Sequence, residues 1–216
     1  MPTYESLSAQ REEVAYFMRR LYRQGLTTTS GGNLSLRVDD RHVLLTPSAL
    51  DKCEMQADQI ALFTLDGENL TPRFKGSIET EMHLAVLRSR PDVMAVVHAH
   101  PVTATTFAAM DIDIDFHLTA EAYAILGTPV RVGYCIMGST GLARLVADGL
   151  KNADVAIMKN HGIICAGKTM LAAFDRIEVC EAAAKMTWIT RTMQSASPLS
   201  QENLDEIHKS FHEEKA

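Results

Sequence analysis

The apolar positions along this chain change period several times, and each change predicts an element. Between residues 6 and 25, Val14, Phe17, Met18, Leu21 and Tyr22 recur at three- and four-residue spacing. That spacing predicts an amphipathic helix, capped by Ser6 or Ser8 and stopped by Gly25. The stretch from Thr27 to Asn33 is a loop by composition. Leu34, Leu36 and Val38 then alternate with Ser35 and Arg37, the pattern of a half-buried strand. Asp39-Asp40-Arg41-His42 turns into a second strand over 43–45. A third, over 60–65, ends at the turn pair Asp66-Gly67.

The middle and end of the chain mix the two periods. After a loop over 71–76, a helix is expected over 77–89, with Met82, Leu84, Val86 and Leu87 inward. Pro91-Asp92 breaks it, and an apolar strand over 93–99 leads to a helix over 101–110. The acidic alternation over 111–115 reads as a loop or short edge strand. A helix over 118–126, a strand over 129–134, a helix over 140–151 and a buried strand over 155–158 follow. Lys159 to Gly162 is a turn, 163–166 a strand, and 169–194 a long helix. Residues 195–200 form a linker and 200–214 a polar terminal helix. Hairpins alternating with long crossovers predict one three-layer α/β/α or α+β domain around a central, largely antiparallel sheet. Its core covers about 8–194, with a helical tail over 195–216.

Composition narrows the class without changing the fold. The 216 residues are 46% hydrophobic and 22% charged, as in soluble globular proteins, with a net charge of −6. An acidic chain argues against nucleic acid or an anionic membrane as partner. The start MPTYESLSAQREE lacks a secretory signal, and no apolar run reaches the length of a membrane span, so a cytoplasmic location is expected. Cys53, Cys135, Cys165 and Cys180 show no C-x-x-C spacing and are read as reduced thiols.

The chemistry starts at Ala95-Val96-Val97-His98-Ala99-His100-Pro101. Residues two apart on a strand share a face, so His98 and His100 project together, and Pro101 ends the ladder. Two imidazoles on one face suit zinc, which needs a third protein ligand and an open position for catalysis. His161, at the end of a buried strand and before Gly162, is the candidate third ligand; it also fits a capped turn histidine. Glu79, expected in the first turn of a helix, is the candidate acid and base, although such placement is favourable for any carboxylate. His83, four residues on, reads as a packed histidine and Glu81 as a solvated one. Three loops could hold an anion through backbone N–H groups and hydroxyls: Ser30-Gly31-Gly32-Asn33, Thr46-Pro47-Ser48-Ala49 and Gly76-Ser77. Read singly, each is also an ordinary loop.

In order, SGGNLS (30–35), LTPSALD (45–51), GSIETEMH (76–83), AVVHAHP (95–101) and MKNHG (158–162) resemble the class II aldolase/adducin head family over residues 8–190. The resemblance implies the three-layer fold and a homotetramer with active sites at subunit interfaces. It implies a divalent metal, usually Zn2+ with Mn2+ or Co2+ as alternatives, held by His98, His100 and His161. It implies that Glu79 shuttles the proton, and that Gly32, Asn33, Ser48, Ala49 and Ser77 hold a substrate phosphate. The expected function is cleavage of a ketose 1-phosphate to dihydroxyacetone phosphate and an aldehyde through a metal-stabilised enediolate. Related epimerases resemble this pattern but carry Asp where this chain has Glu79, which favours the aldolase. A 4-epimerase or a 3-oxo-acid-phosphate decarboxylase is the alternative; a non-catalytic adducin-like module is opposed by the complete set of His98, His100, His161 and Glu79. Ile78 stands where fuculose-phosphate aldolases have a second Ser, and Leu118 where they have Tyr, with His117 or Tyr123 as substitutes. These departures open a 5-deoxy- or methylthio-pentulose 1-phosphate as an alternative to L-fuculose 1-phosphate.

Overall fold

The sheet owes its position to the alternation just described. In a computed structural model that describes residues 3–213, seven strands form one sheet in the order β3-β2-β1-β4-β7-β6-β5. They are β1 (Asn33–Arg37), β2 (His42–Leu45), β3 (Ala61–Thr64), β4 (Ala95–Ala99), β5 (Val130–Val132), β6 (Val155–Met158) and β7 (Gly162–Gly167). All neighbours run antiparallel except β5 and β6, which are parallel. The helices are α1 (Ser8–Arg23), α2 (Thr80–Ser89), α3 (Val102–Ala108), α4 (Ala120–Leu126), α5 (Thr140–Gly149), α6 (Met170–Met193) and α7 (Gln201–His208).

Period-two alternation sorts each strand's side chains into two cores. On β4, Ala95, Val97 and Ala99 join a cluster with Val14, Met18, Phe174 and Ile177 from α1 and α6. Val96, between them, joins Met82, Val86, Leu142 and Val146 from α2 and α5. The sheet is thus covered on both faces, which is the three-layer arrangement expected. His98 has the parity of Val96, so it faces the α2/α5 layer.

Several boundaries differ from the sequence expectation, each for a local reason. The first helix is entered through a 3₁₀ turn, Glu5–Leu7, and neither Ser6 nor Ser8 caps it; Gly25, with φ +69°, does follow its end. β1 begins at Asn33 because that residue pairs with His98. The helix expected from 77 starts at Thr80, since Ser77 and Glu79 direct their side chains to Asn33. Residues 111–115 form no strand: Asp111 and Asp113 pair with Lys159 and Arg131. The tail helix ends at His208, with a wider turn over 209–213; residue 214 lies outside the described residues.

Candidate metal centre and active site

His98 is the last-but-one residue of β4, His100 lies just beyond the strand, and His161 sits on the β6–β7 turn. The sheet brings the three together. Their ring centroids are 4.6, 4.8 and 5.6 Å apart, and their ligating atoms lie within 4.8 Å of one another. The resemblance implied this convergence, while Gly162, read as part of the turn, is the first residue of β7. The reversal is made by Asn160, at φ +56°, and not by the glycine. Gly162 is needed for proximity: a Cβ there would lie 2.6 Å from Ala99 O and 2.7 Å from the His100 ring. Gly32, at φ +67°, has a similar role, since a Cβ would approach Thr27 Oγ1 to 2.8 Å and His98 O to 3.0 Å.

Glu79 occupies the position preceding α2 and is 5% exposed. Its carboxylate does not cap the helix. One oxygen lies 3.3 Å from His98 Nε2 and accepts from Asn33 Nδ2 at 2.8 Å; the other lies 2.8 Å from His161 Nε2. The expected interaction with the helix dipole is therefore replaced by contacts with the histidines. Burial alone would raise the Glu79 carboxyl, but His98, His161 and the Asn33 amide outweigh it and hold it well below the usual carboxylate range. Burial holds His98 below its ordinary value and pushes His100 down to about 3. The site sets an ionised carboxylate beside His98 and His100, whose imidazoles burial keeps neutral, the protonation state a metal requires of such ligands.

Two features fit a divalent cation here. His98 Nδ1 donates to Ile163 O at 2.8 Å, which leaves Nε2 as the unprotonated, ligating nitrogen. The buried atoms His98 Nε2, His161 Nδ1 and Glu79 Oε1 find no well-aligned hydrogen-bond partner, and the 2.8 Å contact between Glu79 and His161 is off the hydrogen-bond axis. Three imidazoles and a carboxylate are a donor set suited to a divalent transition-metal ion.

Behind the carboxylate runs a buried chain that sequence reasoning missed. His83 is fully buried, with Nε2 2.5 Å from Asn33 Oδ1 and Nδ1 2.7 Å from Ser35 Oγ. Asn33 in turn bonds Glu79 and Ser77 Oγ. His83 is packed, as expected, yet its packing orients a site residue.

A cavity of about 280 Å³ opens on these groups and is lined by Gly32, Asn33, Ser48, Ser77, Glu79, His100 and His161. Lys52, Ile78 and Met137 also line it; Lys52 and Met137 carry no local motif that singles them out. Ala49 is exposed with φ +60° and is not among the lining residues. Ser48 departs from the expected donor pattern: its backbone N–H already donates to Lys75 O at 3.0 Å. His117 and Tyr123 meet edge to face, with ring centroids 5.5 Å apart, and do not line this cavity. No described helix is long and apolar enough to cross a membrane.

Comparison with known proteins agrees with this geometry. A protein of Bacillus thuringiensis serovar kurstaki named 5-deoxy-D-ribulose 1-phosphate aldolase is 29% identical over 209 residues, 95% of this chain and 96% of its own. A Haemophilus influenzae protein named 3-oxo-tetronate 4-phosphate decarboxylase is 30% identical over 187 residues, 82% of this chain and 86% of its own. A solved structure of an L-fuculose 1-phosphate aldolase superposes with a TM-score of 0.85 at 25% identity, covering 93% of this chain and 95% of that one. Residues 12–188 match the family described as Class II Aldolase and Adducin N-terminal domain, and with its histidine triad and seven-stranded sheet in place the chain belongs to that family.

Proposed function

We propose that this protein is a zinc-dependent class II aldolase that cleaves a ketose 1-phosphate into dihydroxyacetone phosphate and an aldehyde. The observation that carries the reading is the cluster of Glu79 with His98, His100 and His161, of which Glu79, His100 and His161 line one cavity together with Asn33, Ser48 and Ser77. A divalent cation held by the three histidines would act as a Lewis acid on the ketose carbonyl and hydroxyl oxygens and stabilise the charge left by C3–C4 cleavage. Glu79, ionised at neutral pH, accepts the proton of the C4 hydroxyl as that bond breaks and returns it to C3 of the dihydroxyacetone fragment. Asn33 fixes the carboxylate for both transfers. Ser48 and Ser77, with the backbone around Gly32, hold the phosphate.

Ile78 and Met137 are 59% and 62% exposed and border the cavity. Apolar side chains at the rim favour an aldehyde that ends in an apolar carbon, as from a 5-deoxy-pentulose 1-phosphate, the chemistry named in the Bacillus relative. A homotetramer with interfacial sites belongs to this reading. Exposed Val102, Trp188 and Met193 supply apolar surface for subunit contacts. A panel of phosphorylated ketoses assayed with zinc, manganese and cobalt tests the function. Dihydroxyacetone phosphate should appear from a ketose 1-phosphate; CO₂ release from a 3-oxo acid phosphate without it, or no metal-restored turnover, would overturn the reading.

A further inference from the structure

The cavity contains one cation that the reaction above leaves unused. Lys52 is 2% exposed and lines the cavity beside Ser48 and Ser77. Its Nζ donates to Pro47 O at 2.7 Å, while its backbone N–H donates to Thr29 O at 3.1 Å. The residue thereby ties the Ser48 loop to the loop that carries Gly31 and Gly32. Among the described residues no carboxylate pairs with the ammonium. Buried ammonium groups are normally paired, because removing a lone charge from water costs several kcal/mol. Burial accordingly pushes Lys52 down to about 8, with no acidic neighbour opposing the shift. The acidic group nearest in sequence, Asp51, is turned to the Cys53 N–H at 2.9 Å. Glu79, the one carboxylate lining the cavity, is engaged by Asn33 and the histidines. A neutral amide would serve as well as an ammonium if the side chain only braced the Pro47 carbonyl. The positive charge therefore answers to something that enters the cavity.

We propose that Lys52, braced on the Pro47 carbonyl, is the cationic element of the anion-binding loops and binds the phosphate monoester of the substrate in its dianionic form. The assignment rests on the sugar-phosphate reading of the site and adds to it the group that distinguishes a phosphorylated ketose from a neutral one. The other titratable groups facing this cavity are Glu79, His100 and His161.

The metal-loaded protein titrated calorimetrically with inorganic phosphate tests this, with inorganic sulfate as a probe of fixed charge. For the natural protein, sulfate affinity should fall as pH rises through the Lys52 titration near 8. Lys52→Met should weaken both anions about 10- to 100-fold, the loss of one charge-assisted hydrogen bond. Lys52→Arg, which stays charged, should still bind sulfate and lose the alkaline fall, a change that a bracing role would not produce. Unchanged anion affinity in Lys52→Met, or sulfate affinity in the natural protein that is flat through this range, would overturn the proposal. If Lys52→Met does not fold, the comparison of the natural protein with Lys52→Arg decides alone. Anion binding through Lys52 without cleavage of any ketose 1-phosphate would refute the aldolase reading and leave Lys52 standing. Cleavage with an unchanged KM in Lys52→Met would refute the Lys52 role and leave the aldolase standing.

Discussion

Asn33 turns its amide nitrogen to the Glu79 carboxylate, which only accepts, so its carbonyl faces His83. His83 must then carry its proton on Nε2, and Nδ1 accepts from the Ser35 hydroxyl. Burial pushes His83 down to about 3, so this neutral tautomer persists at working pH. Replacing it by Leu frees the Asn33 amide to rotate away from Glu79. His83→Leu should lower turnover about 10- to 100-fold with metal content unchanged, and His83→Gln, which can still donate, should recover part of the loss. Equal activity in all three proteins would show that Asn33 needs no brace. Glu79→Gln keeps the shape and removes the base; it should retain metal and lose about 10²- to 10⁴-fold in kcat, and near-normal kcat would refute the proton transfer. His98→Ala should abolish metal binding and activity together, checked by metal analysis of the purified variant. The pairing of His98 with His100 was legible because their spacing is local, whereas His161 and Glu79 were candidates whose convergence only the family resemblance implied. The role of His83 was not legible, since Ser35 and Asn33 lie 48 and 50 residues away.

At the scale of elements, the triad depends on how closely β7 can start beside the end of β4. Ala99 pairs with Ile163, and Gly162 lies against the Ala99 carbonyl and the His100 ring. A methyl group at 162 forces the β6–β7 turn, and His161 with it, away from the other two imidazoles. Gly162→Ala should destabilise the fold by about 2–3 kcal/mol and weaken metal affinity, read by thermal melting and metal titration. Unchanged values in both would mean the turn relaxes freely. The sequence pattern marked this glycine as a turn residue because glycine next to a polar pair usually is one. Steric contact with a strand more than 60 residues earlier has no local signature. The same limit explains α2. Its apolar period is visible in the chain, but its start is set by Ser77 and Glu79 reaching across to Asn33. The strands were read more accurately, since alternation alone decides which face each side chain takes.

The whole molecule gathers the site from β1, β4, the β6–β7 turn and the start of α2, so its charge states are coupled to global stability. His83 is held at about 3 in the folded chain against 6.5 when unfolded. Between those values the unfolded chain binds the extra proton, so the contribution is complete above 6.5 and is lost as pH falls toward 3. Glu79, held below its ordinary value, also favours the unfolded chain as acid is added. Any ion that binds only the assembled triad adds stability by mass action, so a chelator should lower the melting temperature at neutral pH. The metal-stripped protein, melted at a series of pH values, should then lose stability progressively below 6.5, and His83→Gln should show a shallower fall because it removes one of the titrating groups. Equal slopes in the two proteins would place the acid sensitivity elsewhere, whereas a chelator without effect would mean that no ion braces the four elements.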